Sequence, residues 1–344
     1  MDGEVRTMNR SQPNSGVDLS IVVPMCNEEN NVDYFFASLL PVLESLHMKY
    51  EVICINDGSI DGTLELLLKY HENNPLIKVI NLSRNFGKDT ALTAGLRYSR
   101  GQAVLPIDAD LQDPPELIEG LLAKWREGYD VVYGIRSKRY GEGLGKRVTA
   151  NLFYRFINLL SETPIPKNTG DFRLLDRRVV AVLNQIPERT RFMKGLFAWV
   201  GFKQVGLNYE RHPRRQGTSS WSFWKLWNFA LDGITLFSTA GLKFWSYAGL
   251  VISLLAFLYA LFLITLTLMH GKDVPGYASI MVTMLFLGGL QLISLGILGE
   301  YLGRVYAEVK NRPLYIVRDS YGFDDEEDNA ASHGTRDLSQ DGAK

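Results

Sequence analysis

The chain has 344 residues, enough for two domains, and 46% of them are hydrophobic, which is ample for a buried core. Its formal net charge of −1 excludes a general electrostatic case for nucleic-acid binding. The two cysteines, Cys26 and Cys54, lie in or beside apolar segments. This position indicates packing in a reducing compartment and suggests neither a disulfide nor a metal site.

The first half of the chain alternates apolar segments with helical patterns. Residues 1–17 are polar, which predicts a disordered arm without a secretory signal peptide. The predicted strands are residues 19–24, 50–56, 77–82 and 103–107. Strands separated by helices predict a doubly wound, mainly parallel α/β sheet. The polar turns after these strands start at Asn27, Asp57, Arg84 and Asp108, and we expect them to line one crevice.

Later elements complete a predicted cytoplasmic domain over residues 18–220. Pro114 and Pro115 open a helix that extends to about residue 128, and a strand follows at 129–135. A basic loop covers 136–147, a helix runs to about residue 160, and a last strand covers 202–210.

Asp108 and Asp110 follow the fourth predicted strand directly. Two residues apart, they project from the same side of an extended strand end and can converge on one cation. Hard oxygen ligands of this kind suit Mg²⁺ or Mn²⁺, which keep open positions for substrate phosphates. The alternative is an acidic loop at a helix N-terminus, where the helix dipole stabilises carboxylates.

The composition changes at Trp221. Aromatic residues interleaved with Lys225 and Asp232 predict interfacial helices over residues 221–241. Residues 244–269 and 274–299 contain no formally charged side chain, and each run exceeds the roughly 20 residues that a membrane span needs. They predict a two-helix transmembrane hairpin within residues 242–312, with a short link at 270–275.

Basic residues flank both apolar runs, which predicts that the flanks and both termini are cytoplasmic. These residues are Arg211, Arg214, Arg215, Lys225, Lys243, Arg304, Lys310, Arg312 and Arg318. Residues 313–344 form a predicted cytoplasmic tail, which is acidic, polar and predicted to be disordered from about residue 320.

Five motifs carry a family resemblance. They are PMCNEE at 24–29, NDGS at 56–59, DADLQDPPE at 108–116, GDFRL at 170–174 and GEYLGR at 299–304. Over about residues 18–318 the chain resembles inverting glycosyltransferases of family 2 with the GT-A fold, of the polyprenyl-phosphate type. It is similar to bacterial bactoprenol-phosphate glucosyltransferases and, less closely, to dolichol-phosphate mannose synthases. Asn56 and Cys26 depart from the commoner family pattern, which has an acid and an aromatic residue there.

The resemblance implies a UDP-sugar donor, Mg²⁺ or Mn²⁺, and a polyprenyl-phosphate acceptor at the inner membrane. It favours glucose and leaves mannose, galactose or amino-arabinose open. It also implies a homotetramer and a product used in modification of cell-envelope glycans such as lipopolysaccharide or O-antigen.

The resemblance also implies a role for individual residues. Nucleotide-sugar binding is implied for Pro24, Glu28, Asp57 and Asp108, and metal binding for Asp108, Asp110 and Gln112. The implied catalytic residues are Asp110 and Asp171, the latter as a base or as a group that orients the acceptor. Helix capping is the alternative for Asp57 and Asp61, and Asp113 is predicted to cap a helix.

A basic group is expected to bind the acceptor phosphate, because two anions must meet and their repulsion must be offset. Its predicted members are Arg136, Arg211, Arg214, Arg215, Ser219 and Ser220. The alternative for the arginines is anchoring to anionic lipid.

Two other functions are alternatives. A processive polysaccharide synthase would carry an Arg-Trp pair in its acceptor motif, and the chain has none. A catalytically inactive membrane scaffold would not need Asp108, Asp110 and Gln112.

Overall fold

The computed structural model describes residues 16–136, 169–188, 191, 193–209, separate positions between 247 and 269, and 276–323. The chain divides into two compact units. The first comprises Met1–Leu152, Pro164–Ser220 and Arg312–Lys344, and the second comprises Phe153–Thr163 and Trp221–Asn311.

A mixed sheet forms the centre of the first unit. Within the described part of the chain it has eight strands in the order β7-β5-β6-β4-β1-β2-β3-β8. The strands are β1 (Leu19–Met25), β2 (Tyr50–Asn56), β3 (Ile77–Leu82), β4 (Ala103–Pro106), β5 (Val131–Arg136), β6 (Thr169–Asp176), β7 (Gln204–Tyr209) and β8 (Val317–Tyr321). Strands β4, β1, β2 and β3 are parallel, whereas β6 and β8 run antiparallel to their neighbours. The predicted α/β class with a mainly parallel sheet is confirmed.

Helices cover both faces of this sheet. They are α1 (Glu29–Ser45), α2 (Thr63–Asn73), α3 (Lys88–Tyr98), α4 (Leu117–Arg126), α5 (Arg177–Gln185) and α6 (Met193–Trp199). Successive strand residues alternate between the two faces. Ile21 and Val23 therefore pack with α1 residues such as Phe35, while Val22 packs on the opposite face with α3 residues such as Leu92.

Strand β8 is a correction to the predicted tail. Val317–Tyr321 pairs antiparallel with β3, so the expected disorder from about residue 320 is wrong for Ser320 and Tyr321. Leu314 and Phe323, on either side of the strand, pack against the core. The segment is polar and has no strand pattern of its own, because its conformation comes from pairing with the edge of β3.

The second unit contains the long helix α7 (Tyr277–Val309), which has 33 residues. Within the described residues, one segment, Val282–Val309, is long and apolar enough to cross a membrane, with a mean hydropathy of 1.9. The described positions between 247 and 269 are also helical. The interfacial helices at 221–241 lie outside the described residues, and the two-helix hairpin stays a prediction.

Candidate active site

The turns after β1 and β2 are tied together by hydrogen bonds. The backbone N–H of Asn27 donates to Ser59 Oγ at 3.0 Å, and the N–H of Ile60 donates to Asn27 Oδ1 at 2.9 Å. The N–H of Glu28 donates to Thr63 Oγ1 at 2.9 Å. These contacts place the first two predicted donor-binding turns side by side at the carboxyl edge of the sheet.

Asp57 organises the turn that follows β3. Its buried carboxylate accepts from the backbone N–H groups of Phe86 at 2.7 Å and Gly87 at 2.9 Å. Gly87 precedes the first residue of α3. The Asp57 carboxylate therefore connects the turn after β2 to the start of this helix. Gly58 has φ +63°, and a Cβ there would lie 2.3 Å from Asn85 N, so this close approach of two turns requires glycine.

Pro24 and Glu28, two of the predicted donor-binding residues, lie beside the same turns. Pro24 is in β1 opposite Ile55 of β2, and Glu28 Oε2 accepts from Asn31 Nδ2 at 2.6 Å. Asp61 accepts from the backbone N–H groups of Glu29 at 3.2 Å and Thr63 at 3.1 Å. Asp61 therefore contacts the first residues of α1 and α2, while Glu28 and Gly62 occupy the N-cap positions of these helices.

Lys88 joins Asp108 to Asp171. Lys88 begins α3, Asp108 follows β4 and Asp171 lies in β6, so three elements contribute to one ionic cluster. The Lys88 ammonium lies 2.6 Å from Asp108 Oδ1 and 2.8 Å from Asp171 Oδ2. The Asp171 side chain is 14% exposed, against 28% for Asp108 and 43% for Lys88. The predicted donor-side and acceptor-side carboxylates therefore meet at one cation.

The protonation of this cluster follows from its charges. Desolvation lowers the pKa of Lys88, but the charges of Asp108 and Asp171 outweigh it and raise the pKa above the ordinary lysine value. Burial raises the pKa of Asp108, and Asp171 adds to that rise while Lys88 opposes it. Lys88 therefore remains a cation at neutral pH.

The remaining acidic motif is held close to β4 and β7. Asp110 Oδ1 accepts from the backbone N–H of Gln112 at 3.2 Å, and Leu111 between them has φ +52°. Gln112 is 8% exposed. Asp113, predicted as a helix cap, accepts a hydrogen bond from the hydroxyl of Tyr209 in β7, while Glu116 occupies the N-cap position of α4.

The described residues supply too few ligands to hold a divalent metal alone and fit such a metal only if substrate phosphates supply further ligands. In the described part of the chain, no group of three or more His, Cys, Asp or Glu side chains could hold a metal ion. Mg²⁺ commonly uses one or two carboxylates and substrate phosphates, and Asp108 and Asp110 can supply that number. Asp108 is paired with the Lys88 ammonium in this structure.

One of the six predicted acceptor-binding residues, Arg136, lies within the described part of the chain. Arg136 is the last residue of β5, opposite Tyr209 of β7. The other five, Arg211, Arg214, Arg215, Ser219 and Ser220, lie outside the described residues.

Sequence reasoning missed two cations beside Asp171. The first is Lys88, and its signal was available, since a lysine at a helix N-terminus opposes the helix dipole and needs an anionic partner. The second is Arg173, which is 4% exposed with its guanidinium 4.1 Å from the centre of the Phe197 ring. Burial lowers the pKa of Arg173 to about 10, although the charge of Asp171 opposes this shift.

Comparison with known proteins identifies the family. The model for "Glycosyl transferase family 2" matches residues 20–183. An uncharacterized glycosyltransferase of Synechocystis is 60% identical over 90% of this chain and 97% of its own length. A prophage-derived bactoprenol glucosyl transferase of Shigella flexneri is 46% identical over 88% of this chain and 98% of its own. The glycosyltransferase YkcC of Bacillus subtilis is 44% identical over 90% and 95%. The chain therefore belongs to glycosyl transferase family 2, as its motifs predicted.

Proposed function

We propose that the protein transfers glucose from UDP-glucose to a polyprenyl phosphate at the cytoplasmic face of the inner membrane, with inversion at the anomeric carbon. The observation that carries the proposal is the convergence of Asp108 and Asp171 on Lys88 at 2.6 and 2.8 Å. The 46% identity with a bactoprenol glucosyl transferase supports both the sugar and the lipid carrier.

The donor would bind over the joined turns after β1 and β2. Pro24, Glu28 and Asp57 lie there, and carboxylates at this edge can accept hydrogen bonds from uracil N3–H or ribose hydroxyls. We assign Asp57 two roles. Each of its oxygens accepts a backbone N–H, which shapes the site, and the carboxylate would also contact the nucleoside.

Charge neutralisation is the main requirement of the reaction, because a lipid phosphate must approach a diphosphate sugar. Asp108, Asp110 and Gln112 would hold Mg²⁺ or Mn²⁺, which when bound offsets the charge of the leaving nucleoside diphosphate. Lys88 keeps a permanent positive charge between Asp108 and Asp171. This charge lowers the repulsion between the two carboxylates and the incoming phosphate.

Asp171 acts by orientation and fixed charge in this proposal. Its Oδ2 accepts from the Lys88 ammonium at 2.8 Å, and a carboxylate that is paired with a cation is a weak base. The acceptor needs little deprotonation, because the second pKa of a phosphate monoester is about 6. Asp171 would therefore position the acceptor and stabilise positive charge that develops on the sugar.

The acceptor phosphate would be bound by the predicted basic group, and the lipid would be presented by the predicted membrane hairpin. That group comprises Arg136, Arg211, Arg214, Arg215, Ser219 and Ser220. The product would serve in cell-envelope glycan modification, such as that of lipopolysaccharide or O-antigen, and the predicted assembly is a homotetramer.

The test is to incubate membranes containing the protein with labelled UDP-glucose, GDP-mannose or UDP-galactose and to extract the lipid. We expect label in the lipid from UDP-glucose only. Label from another donor would replace glucose in the proposal. No labelled lipid from any donor would support the inactive scaffold.

Metal dependence is tested with Asp110→Asn and with EDTA. The substitution removes one of two carboxylate charges from the proposed cation site, so transfer should be abolished while the thermal unfolding midpoint stays unchanged. EDTA should abolish transfer by the wild-type protein, and Mg²⁺ or Mn²⁺ should restore it. Full turnover in EDTA would remove the metal from the proposal.

A further inference from the structure

We propose that Asn56, Asn81 and Asp319 form an amide relay through which the C-terminal strand β8 positions the donor-binding turn at residues 57–59. The inference rests on the proposed function in one respect, namely that this turn contacts the nucleotide of the donor. It adds three positioning residues that the sequence analysis did not assign to the site.

The three residues lie in register across neighbouring strands. Asn56 of β2 pairs with Asn81 of β3, and Asn81 pairs with Asp319 of β8. Asn56 is 2% exposed and Asn81 is 5% exposed. Amide groups buried to this degree must find hydrogen-bond partners within the protein, because an unsatisfied group carries its full desolvation penalty.

The carboxylate of Asp319 sets the direction of the relay, because it can only accept. Asn81 Nδ2 donates to Asp319 Oδ2 at 2.9 Å. Asn81 Oδ1 is then left to accept from Asn56 Nδ2, also at 2.9 Å. Asn56 consequently turns its own Oδ1 toward the donor turn, where it accepts from the backbone N–H of Ser59 at 3.3 Å. The charge on β8 thereby orients an amide two strands away.

The turn that receives this contact is central to the site. It holds Asp57, whose carboxylate fixes the start of α3, and Ser59, whose hydroxyl accepts from the N–H of Asn27. A change in the orientation of Asn56 would therefore alter both neighbouring turns. Backbone pairing alone can hold β8 against β3, so a side-chain relay that reaches the turn indicates a positioning role.

Reversing the relay by substitution tests the proposal. Asn56→Asp replaces the donor at position 56 by an acceptor, so two oxygens oppose each other whichever way Asn81 turns. We expect UDP binding to weaken about tenfold or more, as for a buried polar group left unsatisfied. Asp319→Asn alone should weaken UDP binding less than Asn56→Asp, because an amide oxygen at 319 can still accept from Asn81 although the fixed charge is lost. Combining the two should restore UDP affinity. The amide of Asn81 can then rotate by 180°, so that it accepts from the new amide at 319 and donates to the new carboxylate at 56, and the relay runs in the opposite direction.

A second pair keeps the test decisive if Asn56→Asp does not fold. Asn81→Asp places a carboxylate beside Asp319, and the further change Asp319→Asn supplies a donor to it while leaving Asn56 as it is.

The control is Asn56→Asp with Glu72→Gln, an exposed position on α2, which has the same net charge as the first double variant but no new partner for Asn81. This control should stay as impaired as Asn56→Asp alone.

Two readouts on the full-length protein in detergent separate the possible failures. Isothermal titration with UDP reports the donor site, and the thermal unfolding midpoint without nucleotide reports the relay. Recovery of both quantities in the double variants, with no recovery in the control, supports the relay. Double variants that remain as impaired as their single parents overturn it. A wild-type protein that binds no UDP would instead overturn the proposed donor.

Discussion

Lys88 stands at the N-terminus of α3, where the helix dipole disfavours a positive charge by about 0.3–1 kcal/mol. Its contacts with two carboxylates at 2.6 and 2.8 Å more than offset this, even though Lys88 is 43% exposed and solvent weakens each ion pair. A lysine in an unfavourable position, held by two acids of the proposed site, is expected to serve the reaction and not the stability of the fold.

Lys88→Gln should reduce the rate of transfer by about 100-fold, which is typical for the loss of one preorganised electrostatic group. The physical reason is that Asp108 and Asp171 would then repel each other and the acceptor phosphate. Initial rates with labelled UDP-glucose measure the change. Lys124→Gln is the matched control, since Lys124 pairs with Glu127 on the exposed side of α4 and should retain full activity. A rate for Lys88→Gln within threefold of wild type would contradict this assignment.

Asp171→Asn should lose rate by the same factor at every pH between about 5.5 and 8.5. If Asp171 were a general base, the loss would be largest at pH 5.5, where the lipid phosphate carries one proton, and would fade as that proton leaves near its pKa of about 6. Pairing with Lys88 argues for the flat profile. Rates of wild type and variant are compared across this range, with nucleotide affinity as the folding control. Recovery near pH 8.5 would restore the general-base role.

At the scale of elements, the contact between α3 and the sheet depends on Gly95. A Cβ at this position would lie 2.2 Å from Val22 Cγ1 and 2.6 Å from Ile55 Cδ1, which are buried in strands β1 and β2. At Gly120 in α4, the nearest atom would be Leu207 Cδ2 at 3.1 Å, the end of a flexible side chain. Both glycines lie inside helices, so intrinsic helix propensity favours alanine equally at both.

Gly95→Ala should therefore lower the free energy of unfolding by up to about 2 kcal/mol, because an overpacking cost of about 1–3 kcal/mol is offset only in part by the gain of about 1 kcal/mol in helix propensity. Gly120→Ala, the matched control, should change it by less than about 1 kcal/mol in either direction. Urea unfolding of the two variants, read by circular dichroism, measures the difference. Equal stability of the two variants would show that α3 can move away from the sheet at no cost.

The elements that sequence predicts correctly are those with a strong local pattern. Strands β1 to β4 are mainly apolar segments bounded by polar turns, and their observed ends lie within one residue of the prediction. The sequence predicts β6 only as a motif, because Asp171 and Arg173 interrupt its apolar residues and are stabilised by partners from other elements. The position of Lys88 at a helix start indicates that it needs an anionic partner, but no local pattern shows that this partner is Asp171.

At the scale of the whole molecule, the sheet is completed by residues far apart in the chain. Val79 of β3 pairs with Tyr321 of β8, so the last strand of the first unit follows the long helix α7 of the second unit. A pairing of such long range cannot be read from local periodicity, and the polar sequence of β8 offers no other signal. The chain therefore leaves the first unit and returns to it, which constrains how α7 and the preceding helical residues can cross a membrane.

The return of the chain makes the predicted hairpin testable. Residues 16–136 and β8 belong to the same unit, so they must lie on the same side of the membrane, and the number of spans between them must be even. Val282–Val309 can supply one span, and the apolar run 244–269 is the proposed second. A reporter inserted in the link at 270–275 should therefore be extracytoplasmic, while reporters at residues 1 and 344 should be cytoplasmic. The reporters at the termini are the internal control for expression and insertion. A cytoplasmic signal from the link would mean that neither helix spans the membrane and that the protein binds its lipid acceptor from the surface.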